Sequence, residues 1–160
     1  MYNFAFVLVF HYLCSMKRKW FFLTLLLIMV CLTGCDLETT PHGDLYGYWH
    51  LEAVDTISGG TSDLSSQRRF WAIQNKVVEC SDRDNLHIPI VMHFERSGDS
   101  LMMGRVFVND RPNGDPEVTD VTEIACYGLR SLTPHLHIDQ LSGDKMTLSA
   151  EGLILRFRKL

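Results

Sequence analysis

From Leu45 onward, apolar and polar residues trade places at every second position, the repeat of a half-buried strand and not that of a helix. Leu45–Thr56 is the first expected strand, with Trp49, Leu51 and Ala53 on one face and His50, Glu52 and Val54 on the other. Gly59-Gly60 and the serine-rich stretch behind it form a loop. Arg68–Ile73 and Lys76–Ser81 make a hairpin that turns at Gln74-Asn75. His87–Glu95 sets Ile88, Ile90, Met92 and Phe94 on one face, and Ser97-Gly98-Asp99 turns the chain into its partner strand, Ser100–Val108. Asn109–Asp120 is a polar loop rich in Pro, Gly and Asp, and Val121–Leu129 fits either a strand or a helical turn before Gly128. Three short strands close the chain, at His135–Asp139, Lys145–Ser149 and Leu153–Leu160. Leu136, Ile138, Met146, Leu148, Leu153, Leu155 and Phe157 form their apolar face, opposite His135, His137, Lys145, Thr147, Arg156 and Arg158. About eight short strands, each with one apolar face, predict an all-β antiparallel barrel or sandwich.

The first 44 residues follow another pattern. Met16-Lys17-Arg18-Lys19 precedes a 13-residue apolar run, Trp20–Leu32. A membrane-crossing helix needs roughly 20 apolar residues, whereas a secretory signal core needs about 7–15 behind positive charge. Leu32-Thr33-Gly34-Cys35 resembles a bacterial lipobox, which implies lipidation of the Cys35 thiol and cleavage before it. Residues 1–34 are then a leader, with translation expected to start at Met16 because a second apolar run precedes the cationic cluster. Residues 35–44 are a tether and 45–160 the folded domain. The expected location is the bacterial cell envelope, at the outer membrane with the leaflet open, held through acyl chains on Cys35. The 126 residues from Cys35 carry 12 Lys/Arg against 19 Asp/Glu, a net charge of −7 with no basic run. That balance argues against nucleic acid as a partner, because phosphate neutralisation dominates such affinity.

The domain carries a resemblance of its own. Gly47-Tyr48-Trp49 at the start of the first strand is similar to the Gly-x-Trp signature of lipocalins and their relatives. Leu45–Thr56, Arg68–Val78, Ile124–Leu129 and Leu141–Leu160 together resemble the lipocalin-like lipoproteins of Gram-negative gut anaerobes. The resemblance implies a small calyx-like barrel with Gly47 and Trp49 as structural residues. It also implies that an arginine of the last strand, Arg156 or Arg158, packs against Trp49. It implies no particular activity. The chain is short for a true lipocalin, and the second and third lipocalin motifs are not recognisable in it.

Candidate chemistry is sparse. Neither a Gly-x-Ser-x-Gly elbow nor a phosphate-binding Gly-Lys-Ser/Thr loop occurs. His135, His137 and Asp139 share a strand face, a start toward zinc, but no further ligand is at hand and a solvated face is expected. His87 and His93 read as strand-surface residues, and Asp110–Asp120 lacks the spacing of a calcium loop. With Cys14 and Cys31 in the leader, Cys80 and Cys126 remain, either as two small apolar residues or as a disulfide. No catalytic residue, metal or cofactor is expected. Trp49, Phe70, Trp71, Phe94 and Phe107 are the candidate lining of a cavity for a small apolar ligand. The competing expectation is a barrel filled by those side chains in an interaction or accessory subunit of an envelope assembly, with the protein partner unknown. Arg105 falls on the same face as Leu101, Met103 and Phe107, which calls for a bulge or a buried cation, and the cost of burying a lone charge favours the bulge.

Overall fold

A computed structural model describes residues 43–160. The leader, Cys35 and all but the last two residues of the tether lie outside them. Nine strands run in the order β1 (Gly47–Thr56), β2 (Thr61–Asp63), β3 (Arg69–Gln74), β4 (Val77–Asp82), β5 (Ile90–Ser97), β6 (Ser100–Val108), β7 (His135–Ser142), β8 (Lys145–Ala150) and β9 (Leu153–Lys159). Each of the eight longer strands pairs antiparallel with the next, and β9 returns to β1, so these eight close a barrel. The three-residue β2 is an addition to the far half of β1. Closure decides between barrel and sandwich, and it leaves the eight main strands no free edge.

Two-residue hairpins join β3–β4, β5–β6, β7–β8 and β8–β9. The β3–β4 turn sits at Asn75-Lys76, one residue later than expected, with φ of 49° and 62°. Two successive positive φ values match the right-handed twist of the flanking strands.

Three bulges set which side chains face the core. In β1 the register shifts between Leu51 and Ala53, so Val54 pairs with buried Leu155 while Ala53 pairs with Arg156. The strict alternation expected for β1 therefore inverts after Glu52. In β6, Met103 pairs with Phe94 and Val106 with Met92, so Gly104 and Arg105 together oppose His93. Arg105 swings outward to Glu117 at 3.1 Å, and the bulge, not a buried cation, resolves its position. A third bulge, between Ile138 and Gln140, lets Leu141 pair with core residue Met146.

One end of the barrel, the base, holds the chain's entry and its last strand. A 3-10 turn at Gly43–Leu45, not the expected strand, buries Leu45 beneath Trp49, whose Nε1 donates to Leu45 O at 2.9 Å. Lys159 Nζ donates to Asp44 O at 2.9 Å and lies 4.9 Å from the centre of the Trp49 ring. Cation–π contact of this kind suits a desolvated tryptophan face. Neither Arg156 nor Arg158 fills that role. In β9 the odd-numbered residues Leu153, Leu155 and Phe157 face inward, which turns Arg156 out to Asp55 (2.7 Å) and Arg158 out to Glu52 (2.6 Å). Lys159 continues the inward series and pairs directly with Trp49. Gly47 is required here twice over. Its φ is +149°, and a Cβ would stand 2.3 Å from Lys159 Cε.

Candidate ligand-binding site

The barrel interior brings together three of the five candidate aromatics. Trp49 and Trp71 are fully buried and face one another across the β1–β3 ladder, and Phe94 is 2% exposed. Phe70 and Phe107 do not line the interior. Phe70 neighbours inward-facing Trp71 on one strand, so alternation puts it outside, where it stacks on Tyr48 with centroids 4.8 Å apart. Phe107 follows the Gly104–Arg105 bulge, which moves the inward positions of β6 to Met103 and Val106, and Arg105 lies over its outer ring face. Gly104 read as a bulge position would have made the Phe107 reversal legible in advance, and alternation with Trp71 already sets Phe70 on the outer face.

The opposite end, the mouth, carries the long connections. Residues 109–134, between β6 and β7, fold across it. Their 3-10 turns, Val121–Glu123 and Ala125–Tyr127, resolve the ambiguity of Val121–Leu129. Asp120 caps the first by accepting from Thr122 N at 2.9 Å. Val118, Ile124, Tyr127 and Leu129 are buried in the barrel core. Gly128, at φ +82°, packs so closely on Leu155 that a Cβ would come within 2.4 Å of Cδ2. Residues 116–118 pair with the end of β6 through Val108 N to Pro116 O and Val118 N to Val106 O, and among the described residues two hydrogen bonds tie the stretch 121–129 to the rim. Arg69 Nη1 of β3 donates to Cys126 O at 2.7 Å, and Tyr127 Oη donates to Ile88 O at 2.8 Å. Burial of Ile124, Tyr127 and Leu129 is worth about 1.5–3 kcal/mol each, so packing outweighs the two ties. In this closed arrangement the mouth is shut.

The polar groups at the mouth are Arg69 and Asp82, paired across the β3–β4 ladder, and His87. His87 Nδ1 donates to Asp82 Oδ2 at 2.7 Å, and the Asp84 amide donates to Oδ1 at 2.9 Å. Burial pushes the Asp82 carboxyl pKa up, but those bonds and the His87 charge outweigh it and hold it below the ordinary value. Burial raises the Tyr127 hydroxyl and the Cys80 thiol well above their usual ranges, and the Cys126 thiol to about 11. Both cysteines are free, and at neutral pH both are thiols, not thiolate nucleophiles. His87 thus belongs to the mouth, while His93, His135 and His137 lie on the outer surface as expected. Ile88 stands 38% exposed ahead of β5, not within its inward face.

Elsewhere polar side chains are committed to one another. Asp139 accepts from His137 and from Ser149, both at 3.0 Å. Asp110 and Asp115 bond within their own loop and to Arg111 and Asn113. Among the described residues no group of three His, Cys, Asp or Glu is placed to hold a metal. A cleft of about 570 Å³ at the base is lined chiefly by polar residues, among them Asp44, Arg96, Asp99 and Asp139. One buried donor inside the barrel remains unmatched. Trp71 Nε1 has no hydrogen-bond partner among the described residues.

Comparison with known proteins agrees with this geometry. A lipocalin-like domain family matches residues 30–160. A lipocalin-like protein from Bacteroides uniformis has a similar fold, with a TM-score of 0.56 and 18% identity over 74% of this chain and 100% of its own. An uncharacterized protein from Bacteroides eggerthii aligns with a TM-score of 0.53 and 16% identity over 72% of this chain and 98% of its own. No curated protein matches the sequence. The family match spans most of the chain and the closed eight-stranded barrel matches its fold, so the protein belongs to the lipocalin-like domain family.

Proposed function

We propose that this protein is a lipid-anchored envelope protein whose barrel takes up a small apolar molecule, without catalysis. The observation that carries the binding half is the barrel itself. Its interior is an apolar core that includes Trp49, Trp71 and Phe94, and over its mouth lies the stretch 121–129, held among the described residues by two hydrogen bonds and side-chain packing. Apolar walls with few polar groups are the usual make-up of a small-molecule pocket. The anchoring half is supported by Leu32-Thr33-Gly34-Cys35 behind a basic, then apolar, leader. Raised thiol pKa values give no support to an enzyme.

Native mass spectrometry of the protein purified from its own membranes tests both halves. Expected are a chain that begins at an acylated Cys35 and a retained small molecule. A bare Cys35 with the leader attached would overturn the anchor. An empty protein whose tryptophan fluorescence ignores a panel of apolar ligands would overturn the carrier. That outcome would favour a filled barrel serving a protein partner, a reading to which exposed Ile57 (74%) and Leu86 (77%) lend support.

A further inference from the structure

We infer that the interior ligand site takes an uncharged molecule with a hydrogen-bond acceptor, held by Trp71 Nε1 and admitted by displacement of residues 121–129. The inference rests on the carrier reading and adds head-group chemistry and a route of entry.

The anchor comes from an unmatched donor. Trp71 is fully buried, and its Nε1 has no partner in the closed barrel. Buried indole N–H groups nearly always find an acceptor, because leaving one dry and unpaired is costly. The Phe157 ring, with its centroid 5.1 Å from that of Trp71 and tilted by 61°, offers at best a weak π face. A carbonyl, ester or ether oxygen on a ligand would complete the donor.

Charge follows from what else is buried. Among the described residues the buried polar or charged side chains are His50 and Asp82. His50 faces outward, against Phe70 and the Gln67 carbonyl. The one cation that reaches the interior face among the described residues, Lys159 at the base, is committed to Asp44 O and the Trp49 ring, so nothing below the rim is free to pair with an acidic head group. At the rim, the Arg69 guanidinium is already engaged by Cys126 O, and Asp82 stands opposite it as a carboxylate. An anion drawn down to Trp71 would be buried without a counter-charge.

Entry is set by the mouth. Arg69, which ties down Cys126, lies two residues from Trp71 on β3, and Cys80 pairs directly with Trp71. Lifting residues 121–129 withdraws Ile124, Tyr127 and Leu129 from the core that Trp71 shares and vacates the volume they fill. The buried Cys80 thiol becomes reachable in the same movement.

Full-length protein, wild type and Trp71→Phe, is titrated with methyl decanoate and with decanoate. The ester is labelled with ¹³C at its carbonyl and followed by infrared spectroscopy. Tyr127→Phe removes one tie, and iodoacetamide labelling of Cys80, mapped by peptide mass, reports opening. Expected are ester binding tighter than decanoate, a carbonyl band at lower frequency in wild type than in Trp71→Phe, and about three- to tenfold weaker ester binding in that variant. Cys80 labelling should rise several-fold in Tyr127→Phe. Ester binding with an identical carbonyl band in both proteins would overturn the Trp71 anchor and leave the carrier reading standing. Tighter decanoate binding would overturn the requirement for an uncharged head. Ester binding with Cys80 labelling unmoved by Tyr127→Phe would overturn the route of entry. If neither molecule binds any of the proteins, the carrier reading falls and the inference falls with it.

Discussion

Gly47, Trp49 and Lys159 meet at the base of the barrel, and each depends on the other two. Lys159 covers the Trp49 ring and bonds to Asp44 O, and it can approach because Gly47 has no Cβ. Gly47→Ala is expected to destabilise the domain by about 1–3 kcal/mol, since it meets both an unfavourable φ and the Lys159 side chain. Chemical denaturation of the variant against wild type checks this, and Lys159→Ala in the same background should recover part of the loss. A domain indifferent to Gly47→Ala would show that the base is looser than drawn. The Gly-x-Trp pair was legible in the sequence. The identity of its cationic neighbour was not, because Arg156, Arg158 and Lys159 differ only in which face of β9 they occupy, and that depends on pairing with β1.

Strands and hairpins were legible because alternation and turn chemistry are local. Eight of the nine strands match runs visible in the sequence, and the exception is the three-residue β2, too short to show a period. What alternation misses is the bulge. One inserted residue reverses every later side chain on a strand, which is how Phe107 left the interior and Val54 entered it. Arg105→Leu puts the β6 bulge to the test. With its side chain 69% exposed, paired to a surface carboxylate and resting on the outer face of Phe107, the change should shift stability by less than about 0.5 kcal/mol. A thermal unfolding curve that moves upward by several degrees would mean that position 105 faces the core after all.

At the scale of the whole molecule, the mouth segment was the least legible part. Asn109–Asp120 has the composition of a solvated loop and Val121–Leu129 fits a strand as well as a helical turn, yet Ile124, Tyr127 and Leu129 together close one end of the barrel. Non-local packing of an irregular segment leaves no periodic trace. The same region ties stability to pH. Asp82 is held below its ordinary pKa by His87 and the Asp84 amide, so its ionised form favours the folded state. That contribution is complete above the unfolded carboxyl pKa of about 4 and is lost as pH falls through the lower folded value. Urea midpoints measured from pH 7 down to 2 should therefore fall more steeply at the acid end for wild type than for Asp82→Asn. Parallel curves would exclude Asp82 as a source of the acid sensitivity.

The first strand has neighbours on both sides, β3 along its near half and β9 along most of its length, and the polypeptide enters it from the base. Tension arriving from a membrane foot through Gly43 would run along that strand and load both ladders in shear, with Lys159 sharing the first of the strain. Seams loaded that way must break many bonds at once, so an anchor of the kind proposed would pull in a direction that the barrel resists well.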